Sequence, residues 1–244
     1  MRTEQIRKAV AMSSTSPIIL ALDTQDISTA AEWITATRGS IDTYKVGLEF
    51  FLKHGRVGLQ QLRDVADFDL FLDLKLHDIP NTVRAAVESV SELAPKFLTV
   101  HASGGAKMVE AAASVSPSIE IVAVTILTSL SDDEVFEIGY REPALSSAVA
   151  LAALGAKTGA RAIVSSPFEA QGIRSAVGRD ITIITPGVRP AGSDANDQTR
   201  IMTPAQAIEN GANYFVIGRP ITSLSTVSLA AMGEKAAEIL ASVR

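Results

Sequence analysis

There is no cysteine among these 244 residues. Disulfides, zinc–thiolate sites and a cysteine nucleophile are therefore excluded, and nothing points to an oxidising compartment. There is no basic run either, and 22 lysines and arginines against 27 aspartates and glutamates leave a net charge of −5. Nucleic acid and anionic membrane are poor partners for such a chain. No apolar stretch approaches the roughly 18 residues that a membrane span needs. No low-complexity tract or internal linker appears, which argues for one domain.

The N-terminal stretch Met1–Ser16 carries Arg2, Arg7 and Lys8. Its apolar part, Ala9–Met12, is shorter than the ~7 residues of a minimal signal-peptide core. Residues 1–16 read as an extension, a short extra helix or tail, on a cytoplasmic protein, and residues 17–244 as the domain itself.

What is present is a large apolar fraction, 47% of the residues, enough for a sizeable core. A short β-branched run, a turn and an alanine-rich amphipathic stretch recur along the chain. The runs predict strands at Pro17–Leu22, Thr43–Gly47, Asp69–Lys75, Phe97–His101, Glu120–Thr125, Arg161–Val164, Ile181–Thr185 and Tyr214–Ile217. They are short and mostly apolar, as strands buried on both faces are. Helical patterns lie between them, as at Ile27–Thr37, Thr82–Leu93, Ala106–Ser114, Ser146–Lys157, Phe168–Ala176 and Pro204–Glu209, and Thr226–Val243 follows the last. Alternation of this kind predicts a parallel sheet, and its length suits a (β/α)8 barrel. The alternative, a doubly wound open sheet, is weakened because no G-x-G-x-x-G follows the first strand.

In a barrel the chemistry sits at the C-terminal ends of the strands. Asp23, Lys45, Asp73, Lys75, His101, Thr128, Ser129, Ser165 and Arg219 all fall there. Side chains alternate across a strand, so Phe71, Asp73 and Lys75 share a face. If that face is the interior, the charges of Lys45, Asp73, Lys75 and Asp78 keep one another ionised despite partial burial. The alternative is an ion-pair network that merely closes the barrel top. The loops Pro186-Gly187-Val188-Arg189 and Gly218-Arg219-Pro220 follow the seventh and eighth strands, the recurrent phosphate site of this fold. Glycines let backbone N–H groups approach an anion, and Arg219 can grip phosphate oxygens in a fork.

The run Asp73-Leu74-Lys75-Leu76-His77-Asp78-Ile79-Pro80-Asn81-Thr82 resembles the D-x-K-x-x-D-I-P-N-T signature of orotidine 5′-monophosphate decarboxylases. The same order of motifs continues through Leu22-Asp23, Tyr44-Lys45-Val46-Gly47, Val100-His101-Ala102-Ser103, Ile126-Leu127-Thr128-Ser129, Thr185-Pro186-Gly187-Val188-Arg189 and Ile217-Gly218-Arg219-Pro220. The resemblance implies cofactor-free, metal-free conversion of orotidine monophosphate to uridine monophosphate and carbon dioxide, the last step of pyrimidine nucleotide synthesis. It implies Lys75 as proton donor and Asp73 as the carboxylate beside the reacting carbon. It implies that Lys45 and Asp23 hold the charge network and the ribose hydroxyls. Thr128, Ser129 and Pro186 fall where relatives meet the pyrimidine, and Gln198 where a loop glutamine closes over the phosphate beside Arg189 and Arg219. Asp78 and Thr82 match residues delivered into the partner subunit's site, which implies a homodimer with composite sites. His77 reads as packing rather than catalysis.

Three other readings stand beside this one, of which a purely structural oligomer leaves both sites unexplained. A magnesium-dependent sugar-phosphate decarboxylase shares D-x-K-x-x-D, but Lys45 stands where an acidic metal ligand would be wanted. A non-catalytic barrel that binds phosphate ligands needs Gly218 and Arg219 but not the alternating charges.

Overall fold

A computed structural model describes residues 16–190 and 202–244. All of the N-terminal extension except Ser16, together with Gln198, lies outside them.

Eight parallel strands close into a barrel in sequence order: β1 (Ile18–Ala21), β2 (Thr43–Gly47), β3 (Asp69–Leu76), β4 (Phe97–His101), β5 (Glu120–Val124), β6 (Ala162–Val164), β7 (Thr182–Thr185) and β8 (Tyr214–Ile217). Closure is made by β1 against β8, with Ile19 opposite Val216. The predicted strands all form, each within two residues of its expected bounds.

The outer layer comprises α1 (Ile27–Thr37), α2 (Leu48–Val65), α3 (Pro80–Ser91), α4 (Ala106–Ala113), α5 (Asp132–Glu137), α6 (Ala144–Lys157), α7 (Ala170–Val177), α8 (Pro204–Glu209), the single turn α9 (Arg219–Thr222) and α10 (Leu229–Ala241). None of the described helices is long and apolar enough to cross a membrane. The helix α2 is kinked at Gly55, where φ is +56°.

Strand alternation sorts the residues into two apolar bodies. Ile18, Leu20, Tyr44, Val46, Leu70, Leu72, Leu98 and Val100 pack outward against the helices. Ile19, Ala21, Phe71, Phe97, Val122, Ala162, Ile184 and Val216 fill the interior. At the N-terminal end of the barrel, Phe97 stacks edge-on against Phe71 and Tyr214, with centroids 5.7 and 5.6 Å away. Lys96 lies over the Phe97 and Tyr214 rings and pairs with Asp69 at 2.5 Å. The floor is thus packed and capped by an ion pair, while the opposite end is left open.

Candidate active site

Each polar side chain at the open end is aimed by an apolar neighbour. On β2, Tyr44 is buried among the helices, where its hydroxyl meets Thr37 Oγ1 at 2.9 Å. Burial pushes the Tyr44 phenol up to about 12. With Tyr44 fixed outward, Lys45 must point inward. On β1, Leu20 and Leu22 lie in the outer layer and Asp23 follows at the mouth. On β3, Leu70, Leu72, Leu74 and Leu76 pack into the outer layer, which leaves Phe71, Asp73 and Lys75 for the interior.

The result is a continuous row of charges. Asp23 Oδ1 lies 3.0 Å from Lys45 Nζ, and Lys45 Nζ lies 3.6 Å from Asp73 Oδ2. Lys75 Nζ donates to both oxygens of Asp73 at 2.8 Å. Asp73 is buried, and burial alone raises a carboxyl pKa. The ammonium groups of Lys45 and Lys75, with hydrogen bonds from Lys75 and Thr99, outweigh that burial and hold Asp73 below the usual carboxylate range. The row begins at Asp23 rather than ending at Asp78. Asp78 is exposed and accepts from the N–H of Ile79, so the sequence places it next to the cluster but the fold turns it away.

Lys75 is also conformationally unusual. Its φ is +48°, a region that a residue with a Cβ enters at a cost of about 1–2 kcal/mol. The register explains why. Leu72 pairs with Leu98 but Leu76 pairs with Val100, so β3 spends two more residues than β4 over this stretch. The Lys75 N–H donates to Thr99 Oγ1 at 2.8 Å, and the Thr99 hydroxyl lies 3.1 Å from Asp73 Oδ1. Strained backbone of this kind is concentrated at functional sites. Gly47 also has a steric role, since a Cβ there would come within 3.2 Å of Lys45 Nζ.

Above the charges lies a cavity of about 340 Å³. Asp23, Lys45, Asp73 and Lys75 line one side. Ala21, Phe71, Val124, Ile126, Val164 and Val216 supply an apolar base, and Leu127 and Thr128 a rim. Pro186, Gly187, Arg189, Gly218 and Arg219 form the far side. Gly187 has φ +77°, a turn suited to glycine. Arg189 is buried, and its N–H bonds to the carbonyl of Met202 at 3.0 Å beside the Val188–Met202 bridge.

Of the sequence-predicted residues, Asp23, Lys45, Asp73, Lys75, Thr128, Pro186, Arg189, Gly218 and Arg219 come together around this one cavity. Ser129 is exposed and does not line it. Asp78 and Thr82, also exposed, lie outside it. His77 stacks on His101 with ring centroids 5.3 Å apart, consistent with packing. Burial, then the nearby His77 and Lys75, hold the His101 pKa below its ordinary value, against the pull of Asp73. Sequence reasoning missed Thr99 and, Phe71 apart, the apolar base. Only the position of Thr99 between inward-facing Phe97 and His101 could have pointed to it.

A cavity with two ammonium groups gripping one buried carboxylate, opposite an arginine-bearing pair of loops, suits a substrate anionic at both ends. A model of the orotidine 5′-phosphate decarboxylase / HUMPS family matches residues 16–231. The chain is 51% identical to the orotidine 5′-phosphate decarboxylase of Thermobifida fusca over 207 residues, which cover 85% of this chain and 89% of that protein. It is 44% identical to that of Wolbachia pipientis over 212 residues, 86% and 93% of the two chains. The solved orotidine 5′-phosphate decarboxylase of Lactobacillus acidophilus superposes with a TM-score of 0.78 at 32% identity, covering 92% of this chain and 99% of that one.

Proposed function

Because the chain belongs to the orotidine 5′-phosphate decarboxylase / HUMPS family, we propose that it converts orotidine 5′-monophosphate to uridine 5′-monophosphate and carbon dioxide, with Lys75 as the proton donor. The observation that carries this reading is the Lys45–Asp73–Lys75 row along one side of the cavity.

The C6–carboxylate bond of the substrate breaks and its electron pair stays on C6. Carbon dioxide leaves, and the Lys75 ammonium gives C6 a proton. The pyrimidine offers no orbital sink for that pair, so the positive charge of Lys75 must stabilise it directly. Asp73, kept ionised by its two lysines, would repel the departing carboxylate. Two unit charges 4 Å apart interact by about 4 kcal/mol at an effective dielectric of ~20. Large enzymatic accelerations need roughly 20 kcal/mol. Repulsion is therefore a minor share. Preorganisation of Lys75, with binding energy from the remote phosphate, supplies the rest.

Arg189, Arg219 and the backbone at Gly187 and Gly218 would hold the phosphate, and Asp23 with Lys45 the ribose. Thr128 and Pro186 would border the pyrimidine. Gln198 and Ser129 belong to the same proposal through the resemblance alone. Asp78 and Thr82 are exposed on the β3–α3 loop and the first turn of α3, next to Ile79 at 66% exposure. That exposure supports a homodimer in which they enter the partner subunit's cavity.

The magnesium-dependent reading requires carboxylates clear of other cations. Asp23 and Asp73 each already face an ammonium, which opposes a divalent ion there. The deciding experiment follows the ultraviolet absorbance of orotidine monophosphate with and without EDTA. Turnover unaffected by EDTA is expected. Tight binding of uridine monophosphate without turnover would favour a binding barrel, and loss of activity with EDTA a metal enzyme.

A further inference from the structure

We propose that Thr99 is a positioning residue for this reaction, its single hydroxyl fixing Asp73 and Lys75 relative to each other. The proposal rests on the decarboxylase reading above. Thr99 is fully buried on the interior face of β4, beneath the charge row and outside the residues that line the cavity. It therefore acts without touching a substrate.

The direction of both hydrogen bonds is dictated by chemistry. A backbone N–H can only donate, so Thr99 Oγ1 accepts from Lys75 N at 2.8 Å. An ionised carboxylate can only accept, so the one hydroxyl hydrogen goes to Asp73 Oδ1 at 3.1 Å. Asp73 Oδ1 also takes the Lys75 ammonium at 2.8 Å. A small closed circuit results, running from the Lys75 backbone through Thr99 and Asp73 to the Lys75 side chain.

The circuit sits where it is most needed. β3 carries surplus residues against β4 between Leu72 and Leu76, and Lys75 takes a left-handed backbone within that stretch. The Thr99 hydroxyl gives the Lys75 amide a partner there. A β-branched side chain is restricted in χ1, so β4 supplies this contact from a stiff support. Serine keeps the hydroxyl but loses the branch, whereas valine keeps the branch and loses the hydroxyl.

The test compares Thr99→Val and Thr99→Ser with wild type in the orotidine monophosphate assay. Thr99→Val is expected to lower kcat by about 100-fold, the scale of a small misplacement of reacting groups, with KM within about threefold because the phosphate and ribose contacts remain. Thr99→Ser should keep at least about a third of wild-type kcat, since it keeps the hydroxyl that makes both bonds. Independently of turnover, the carboxyl 13C signal of Asp73, assigned with Asp73→Asn, should titrate at higher pH in Thr99→Val than in wild type. If valine is not tolerated, Thr99→Cys keeps the size with a weaker hydrogen bond and should give intermediate losses. An unchanged kcat or an unmoved Asp73 titration in the valine variant overturns the proposal, as do equal losses in the serine and valine variants. An inactive wild type would instead overturn the decarboxylase reading beneath it.

Discussion

The ammonium of Lys75 lies 2.8 Å from each carboxylate oxygen of Asp73, two residues before it on the same strand. In a regular strand, residues two apart are separated by about 6.6 Å along the backbone. The left-handed turn at Lys75 breaks that regularity in the stretch where the register of β3 shifts.

Replacing Lys75 with alanine should abolish measurable decarboxylation while leaving the fold intact. The Lys75 side chain is partly exposed, so its removal takes little packing with it. Circular dichroism and a melting curve check the fold, and a single-turnover assay checks the chemistry. Normal turnover by the folded variant refutes the proton-donor role.

Arg219→Ala should lower kcat/KM by about 10- to 150-fold, as expected when charge-assisted hydrogen bonding of about 1.5–3 kcal/mol is removed. Arg219 is exposed at the start of α9, so stability should change by less than about 0.5 kcal/mol. Steady-state kinetics with a parallel melt separate the two effects. An unchanged kcat/KM would sink the phosphate assignment.

Asp73→Asn should destabilise the fold at pH 7 by about 1–3 kcal/mol, because Lys75 loses its carboxylate partner and Lys45 keeps only Asp23. The folded pKa of Asp73 lies below its unfolded value of about 3.9, so the carboxylate contributes fully above that value. Its contribution fades as pH falls towards the folded pKa. In denaturant melts of both proteins between pH 7 and pH 3, the gap should therefore narrow at the acid end. A constant gap contradicts the direction of the shift.

Mixing Lys75→Ala with Asp78→Asn distinguishes a shared site from a private one. If Asp78 enters the partner subunit's cavity, half the dimers in an equimolar exchange are hybrids with one intact site each, and about a quarter of wild-type activity returns. If Asp78 serves its own cavity, no hybrid is active. Each parent should be severely impaired before mixing.

The barrel was legible because its strands are short β-branched runs buried on both faces, and this pattern survives without tertiary context. Lys45 and Asp73 were legible as inward-facing because each neighbours a hydrophobe committed to the outer layer. The conformation of Lys75 was not, since lysine carries no preference for positive φ. Nor was Thr99, because threonine is an ordinary strand former and its hydroxyl gives no signal until the register is known. That Asp23 rather than Asp78 continues the charge row depends on how the β3–α3 loop turns, which spacing alone does not encode.

The packed floor of Phe71, Phe97 and Tyr214, capped by Lys96 and Asp69, makes the cavity a cul-de-sac. Under the proposed reaction, whatever enters cannot leave through that floor. Under that reaction the gas would be released beside the charge row on one side of the blind alley, so its departure would be ordered by traffic rather than by affinity. Evolution could widen or gate the open end to tune throughput without disturbing the residues at the closed one.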